Sequence, residues 1–141
     1  MKRKLIISDF DDVIACICPK WVRNYIQEYH PEEMVNIQRH VNGVNERPGY
    51  YMNTYTGLDI NYEKLLPIYS NDATFYDDLP YEKIVDGFRT GLQNRHFDLA
   101  VVSMVVGKDD AVNRSKERMY NSLFKGLPNV SLHLVHDMSK R

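Results

Sequence analysis

Three short apolar runs, separated by longer stretches with helical spacing, constrain the fold of this chain most strongly. The runs are Lys4–Ser8, Leu99–Val102 and Val130–Val135, and polar residues close each of them. Apolar runs of this length suit strands that are buried in a sheet. A helix is predicted from about Asp109 to Phe124, between the second and third runs. Strands that alternate with amphipathic helices predict a parallel α/β sheet, covered on both faces and joined by right-handed crossovers.

The stretch between the first two runs is predicted to be largely helical. Pro19 suits the first residue of a helix that ends before Pro31, and a short helix is expected from Glu32 to Val41. Helical spacing returns from Tyr62 to Tyr69, and an amphipathic helix is predicted over Tyr81–Asn94. The residues expected to be buried by this last helix are Ile84, Val85, Phe88 and Leu92.

Composition narrows the class of protein. The 141 residues suit one domain, and a formal net charge of -1 offers no overall attraction to nucleic acid polymers or anionic membranes. No apolar run approaches the roughly 20 residues of a membrane span, and the apolar start is too short for a signal peptide. Cys16 and Cys18 are predicted to be reduced thiols, because cysteines one residue apart cannot form an unstrained disulfide. These features predict a cytoplasmic protein.

Chemically active side chains follow all three predicted strands. In open parallel sheets such groups meet at the carboxyl ends of the strands. Here they are Asp9, Asp11 and Asp12 after the first strand, Ser103 at the second, and Asp137 and Lys140 after the third. In an extended segment Asp9 and Asp11 can point the same way, so that one attacks phosphorus while the other handles protons. The set can hold a magnesium ion and a phosphate together.

Each of these residues also has an ordinary interpretation. Acidic residues after a strand are common as turn or helix caps, a serine there often caps a turn, and most lysines lie on the surface. The interpretation as a site therefore depends on the residues occurring together and in this order.

The motifs in this order resemble those of the haloacid dehalogenase-type (HAD-like) phosphatase superfamily. An apolar strand runs into Asp-x-Asp in LIISDFDDV, a second strand ends in Ser in LAVVSM, and a lysine follows later. Within the superfamily, FYDDLPYEKIVDGFRTGLQ and VHDMSK most resemble the 5'(3')-deoxyribonucleotidases, and the likeness covers nearly the whole chain. It implies a single domain, 1–141, with a Rossmann-like core of about three parallel strands. It also implies a small helical cap, residues 19–75, inserted between strands 1 and 2.

The resemblance assigns roles to individual residues. Asp9 would be the nucleophile and Asp11 the general acid and base, with Asp9 and the main-chain carbonyl of Asp11 binding Mg²⁺. Ser103 and Lys140 would bind phosphate, and Lys116 matches an extra phosphate-facing lysine of the nucleotidases. The implied reaction is magnesium-dependent hydrolysis of a phosphomonoester, such as a (deoxy)nucleoside monophosphate, through an aspartyl phosphate.

Two further groups of residues have open interpretations. Asp12 stands where many relatives have glycine, so its carboxylate is expected to disturb or join the metal shell. Tyr50, Tyr51 and Tyr55 lie in a turn-rich segment that is expected to be a loop or part of the cap. Together with Trp21 they are candidates for stacking on a nucleobase, with ordinary packing as the alternative.

The fourth motif of the family is an acidic pair after a further strand, and the sequence reaches Arg141 without it. The resemblance therefore implies that the C-terminal part of the core is missing, which leaves Lys4–Ser8 as an unpaired apolar edge. A longer enzyme, a homo-oligomer or a complementing chain would each explain this, and we expect self-association or a complementing chain to cover the edge.

Two other functions use the same residue types. One is a HAD-fold module that binds a nucleotide or a protein without catalysis, which the absence of the fourth motif favours. The other is a receiver-like phosphoacceptor domain. Spacing argues against the receiver, because receivers carry the phosphorylated aspartate after a third strand, where this chain has its turn-rich tyrosine segment.

Overall fold

The centre of the protein is a small open sheet of parallel strands. The computed structural model describes residues 3–46, 56–107 and 109–136. Within these ranges the sheet has three strands in the order β1-β2-β3: β1 (Lys4–Asp9), β2 (Phe97–Val105) and β3 (Val130–His136). The predicted α/β class with a parallel sheet is confirmed, and each strand is longer than its apolar run.

Helices fill the connections between the strands. They are α1 (Cys18–Tyr29), a 3-10 helix (Pro31–Asn36), α2 (Ile37–Glu46), α3 (Tyr62–Ser70), α4 (Ile84–Gln93) and α5 (Ala111–Leu123). α1 begins at Cys18, one residue before the predicted start at Pro19. The Asn61 side chain caps α3 by accepting the Glu63 N–H at 2.9 Å. The single helix predicted from Glu32 to Val41 is instead a 3-10 turn followed by α2.

The hydrophobic core lies between one face of the sheet and the helices. Its members include Leu99 and Val101 of β2, and buried residues of α1, α4 and α5: Val22, Ile26, Val85, Leu92, Val112 and Met119. The prediction that Ile84 is buried is wrong, because its side chain is 46% exposed. The buried stripe of α4 runs through Val85, Phe88 and Leu92, and Ile84, one turn before Phe88, is the first residue of the helix and lies beyond the packed part of this stripe.

The other face of the sheet is largely uncovered among the described residues. Side chains alternate along each strand, and the outward positions Leu5, Ile7, Met104 and Val135 are 61%, 69%, 63% and 42% exposed. Within the described residues, the prediction of cover on both faces is therefore wrong. Because β1, β2 and β3 are neighbours in chain order, both connections step in the same direction along the sheet. Right-handed crossovers that step in the same direction place their helices on the same face.

Among the described residues, β1 is an edge strand. In the described part of the chain it pairs only with β2, from Lys4 beside Phe97 to Asp9 beside Val102. Its other edge carries backbone N–H and C=O groups that are available for pairing.

None of the helices in residues 3–46, 56–107 and 109–136 has the length and apolarity that crossing a membrane requires.

Candidate active site

Asp9 lies at the carboxyl end of β1, beside the second half of β2, which continues past Ser103 to Val105. It is the last residue of its strand and pairs in register with Val102, one residue before Ser103. The Phe10 N–H donates to Asp9 Oδ1 at 2.7 Å, and the Asp9 residue is exposed. A side chain at a strand end that is open to solvent has the access that a nucleophile needs.

Asp11 is more enclosed than Asp9 and is held from two sides. Its side chain is 25% exposed. Lys116 Nζ lies 3.1 Å from Oδ2, and the Tyr76 hydroxyl donates to Oδ1 at 2.5 Å. Burial raises the pKa of Asp11, and the nearby Lys116 ammonium and Tyr76 hydroxyl only partly oppose this rise. The environment thus favours a proton on Asp11 more than water does.

Lys116 connects Asp11 to the end of β2. It lies on the inward face of α5, with no exposed side-chain surface, and Nζ donates to Ser103 Oγ at 2.7 Å. The ammonium also lies over the rings of Phe10 and Tyr76, 5.9 and 5.4 Å from their centroids. A buried ammonium needs such partners, because desolvation without them is unfavourable.

Residues 75–77 are fixed against α5. The Tyr76 N–H donates to Ser115 Oγ at 2.7 Å, and that hydroxyl donates to Asp77 Oδ1 at 2.9 Å. Arg118 binds the same carboxylate at 2.9 Å, and its hydrogen bond is the main cause that lowers the pKa of Asp77. These contacts set the position from which Tyr76 reaches Asp11.

The structure corrects the expectation that the Asp12 carboxylate disturbs or joins a metal shell. Asp12 adopts a left-handed conformation with φ of 58°, which glycine adopts more readily than other residues. Its Oδ1 accepts the N–H groups of Ile17 and Cys18 at 3.1 and 3.3 Å. The carboxylate therefore caps the start of α1 instead of facing Asp9.

Most of the remaining predicted site residues lie outside the part of the chain that the structure describes. Lys140, Tyr50, Tyr51 and Tyr55 lie outside the described residues, as does Asp137. Trp21 is 9% exposed and packs edge-on against Tyr69, with ring centroids 5.2 Å apart. In the structure it therefore has the ordinary packing role that was the alternative to stacking on a nucleobase. A surface depression of about 420 Å³ is lined by Glu117, Tyr120, Asn121, Leu132 and Leu134, and these do not include any predicted site residue among those the structure describes.

The residues present offer a limited set of donors for Mg²⁺. Among the described residues there is no group of three or more His, Cys, Asp or Glu side chains placed to hold a metal ion. Both carboxyl oxygens of Asp11 already contact cationic or hydroxyl groups. Asp9 and the main-chain carbonyl of Asp11 fit Mg²⁺ only as part of its shell, with water in the remaining positions.

Sequence reasoning missed Tyr76. It lies in the connection 71–80, which is polar as a whole, but Phe75 and Tyr76 are 0% and 1% exposed. The pair of adjacent aromatic residues within this polar connection could have indicated burial. Aromatic side chains of this size bury a large apolar area, so in a loop they usually pack into the hydrophobic core.

Comparisons with known proteins give no match, whether with family models, with curated proteins or with solved structures. The functional argument therefore depends on side chains that meet at the ends of β1 and β2. Hydrogen bonds join Asp11 to Tyr76 and to Lys116, and Lys116 to Ser103, while Asp9 lies two residues before Asp11 at the end of β1.

Proposed function

We propose that this chain is a magnesium-dependent phosphomonoester hydrolase of the haloacid dehalogenase type. By resemblance, its substrate is a (deoxy)nucleoside monophosphate. One observation carries the proposal: Asp9 is exposed at the end of β1, two residues before Asp11, whose carboxyl group contacts the buried Lys116 beside Ser103. A nucleophile, a proton carrier, a cation and a hydroxyl in one place suit phosphoryl transfer.

The first chemical step transfers the phosphoryl group to the protein. An Asp9 carboxylate oxygen forms a bond to phosphorus as the bond from phosphorus to the ester oxygen breaks. Asp11 gives its proton to that leaving oxygen and becomes ionised. The raised pKa of Asp11 supports this role, because an acid must hold a proton before it can donate one.

The second step returns the protein to its first state. Asp11 takes a proton from a water molecule as the water oxygen attacks phosphorus, and the bond from phosphorus to Asp9 breaks. Inorganic phosphate leaves, Asp9 is again a carboxylate and Asp11 is again protonated. Ser103 can donate its hydroxyl hydrogen to a phosphoryl oxygen, and Lys116 offsets negative charge nearby. When bound, Mg²⁺ supplies further neutralisation of charge between carboxylate and phosphate.

The test is release of inorganic phosphate from deoxynucleoside monophosphates with and without Mg²⁺. Asp9→Asn removes the attacking carboxylate, and we expect it to lower turnover at least about a thousandfold. Asp12→Asn is the matched control, because an amide oxygen can also accept the N–H groups at the start of α1. The control is expected to retain activity. No turnover by the unmodified chain at saturating Mg²⁺ would contradict the proposal.

A second candidate is a binding module of the same fold without catalysis. The observation in its favour is that Tyr76 and Lys116 already occupy both carboxyl oxygens of Asp11, as in a purely structural ion pair. Calorimetric titration with a deoxynucleoside monophosphate separates the two candidates. Nucleotide binding without phosphate release under saturating Mg²⁺ favours the module.

We also propose that a second copy or a complementing chain covers the β1 edge. Leu5 and Ile7 of this strand are 61% and 69% exposed, and unpaired apolar edges promote association. Sedimentation over a range of concentrations is the measurement. A well-folded protein that stays strictly monomeric at every concentration would contradict this proposal.

A further inference from the structure

A chain of two buried tyrosine hydroxyl groups leads to the Asp11 carboxyl group. Tyr76 is 1% exposed and Tyr69 is 7% exposed, and their hydroxyl oxygens are 2.5 Å apart. The Tyr76 hydroxyl hydrogen goes to Asp11 Oδ1, so its oxygen is able to accept the hydrogen of Tyr69. Tyr69 therefore orients Tyr76, and Tyr76 in turn contacts the carboxyl group.

Tyr76 is itself held rigidly. Its N–H donates to Ser115 Oγ at 2.7 Å, which fixes the main chain against α5. Its ring packs edge-on against Phe10 and Phe75, with centroid separations of 5.7 and 5.1 Å. With its main chain, ring and hydroxyl group all in contact, the side chain offers Asp11 a hydrogen bond from a preset position.

We propose that Tyr76, oriented by Tyr69, is a positioning residue that fixes the Asp11 carboxyl group for proton transfer, a role that rests on the proposed phosphatase function. Lys116 holds Oδ2 and Tyr76 holds Oδ1, so the plane of the carboxyl group is determined from both sides. Each oxygen keeps a second lone pair that can carry the transferred proton. Tyr76 contacts neither phosphorus nor the leaving group in this role.

The first test separates orientation from binding. Tyr76→Phe keeps the ring and removes the hydroxyl group, so Asp11 loses one of its two restraints. We expect kcat to fall about tenfold while KM changes less than about twofold, since only proton transfer is disturbed. Tyr120→Phe, on the same helix as Ser115 but without an interaction with Asp11, is the matched control and is expected to leave both constants unchanged.

The second test asks whether Tyr69 acts through Tyr76. Tyr69→Phe is expected to lower kcat by a smaller factor than Tyr76→Phe. The double variant is expected to be no slower than Tyr76→Phe alone, because the hydroxyl group that Tyr69 orients is already gone. Losses that multiply in the double variant would overturn the proposed order.

A third measurement does not depend on turnover. A buried hydroxyl group that donates to a carboxyl group gives a slowly exchanging, downfield proton resonance in NMR spectra. We expect this resonance to disappear in Tyr76→Phe and to shift in Asp11→Asn, but to persist in Tyr120→Phe. Its absence from the unmodified chain, or unchanged kcat in Tyr76→Phe, would overturn the positioning role. Its presence in a chain without turnover would reject the phosphatase proposal and leave the contact to Asp11 established.

Discussion

The Lys116 side chain has no exposed surface. Its contacts with Asp11 and Ser103 are the most position-specific feature of the site. Lys116→Met keeps the length and apolar stem but leaves Asp11 without its cation. Breaking an enclosed ion pair from one side is strongly unfavourable, so we expect a loss of about 3 kcal/mol in the free energy of unfolding. Urea denaturation measures the loss. Lys125→Met, at an exposed lysine, is the control and should stay within about 0.5 kcal/mol of the unmodified chain.

Cys16 gives a prediction for thiol chemistry. Burial, together with the hydrogen bond from its Sγ to Glu82 at 2.8 Å, raises the pKa of the thiol to about 12. Since the thiolate is the reactive form, Cys16 should be alkylated far more slowly at pH 8 than a cysteine in a peptide. Glu82→Ala removes the carboxylate and should speed the reaction. Peptide mapping by mass spectrometry after timed exposure to iodoacetamide gives the rate, and fast labelling of the unmodified chain would contradict the prediction.

The candidate site residues that could be predicted from the sequence are those that belong to the motifs. Asp9, Asp11, Ser103 and Lys116 were placed by their positions after apolar runs and by resemblance, and the structure brings Asp11, Lys116 and Ser103 into contact. Tyr76 was not predictable in the same way. Its burial depends on Ser115, which is 39 positions away, and no local pattern encodes a contact of that separation.

At the scale of elements, α4 approaches β2 so closely that a glycine is needed between them. A Cβ atom at Gly91 would lie 2.2 Å from the Phe97 ring, whereas one at Gly87 would meet nothing within 4 Å. Alanine is a better helix former than glycine by roughly 1 kcal/mol. Gly87→Ala should therefore stabilise the protein by up to about 1 kcal/mol.

Gly91→Ala should have the opposite effect. The overlap with Phe97 must be relieved by moving the ring or the helix, and overpacking of this kind typically costs about 1–3 kcal/mol. Thermal unfolding of the two variants in parallel measures the contrast. If Gly91→Ala raised the melting temperature as much as Gly87→Ala, the close packing of α4 on the start of β2 would be contradicted.

The helices show which parts of an element sequence can predict. The apolar stripe of α4 predicted Val85, Phe88 and Leu92 correctly, because spacing fixes which residues share a face. It failed at Ile84, the first residue of the helix, which lies beyond the packed stripe. The 3-10 turn before α2 was also missed, since turn geometry at a helix start depends on local contacts more than on periodicity.

At the scale of the molecule, the sheet formed by the described residues has one covered and one open face. Val101 is 0% exposed on the covered face, and Ile7 is 69% exposed on the open one. In a monomer, Ile7→Thr should change the free energy of unfolding by less than about 0.5 kcal/mol, as at other surface positions. Val101→Thr places a hydroxyl group in the core and should cost about 2 kcal/mol.

Denaturation at concentrations where sedimentation shows a monomer is the measurement for this pair. Equal losses for the two variants in that state would contradict the open face. If the loss for Ile7→Thr grows with protein concentration, association covers this face, because a partner that binds the folded state adds to apparent stability. The open face was not predicted because alternating strands and helices indicate crossovers but not the direction in which each crossover steps along the sheet.

The long insertion between β1 and β2 has a consequence for the order in which the molecule opens. β2 and β3 are joined through one helix, but β1 reaches β2 only across the whole helical insertion, and the Lys116 to Asp11 contact joins positions 105 apart. Edge strands held by distant contacts open at lower free energy than central ones. In native-state hydrogen exchange, the β1 amides paired with β2 should therefore exchange before those between β2 and β3.

Because Asp9 and Asp11 lie on the β1 side and Ser103 and Lys116 on the other, any molecule that binds both sides would slow that opening. The exchange rate of β1 would thus serve as a direct measure of occupancy.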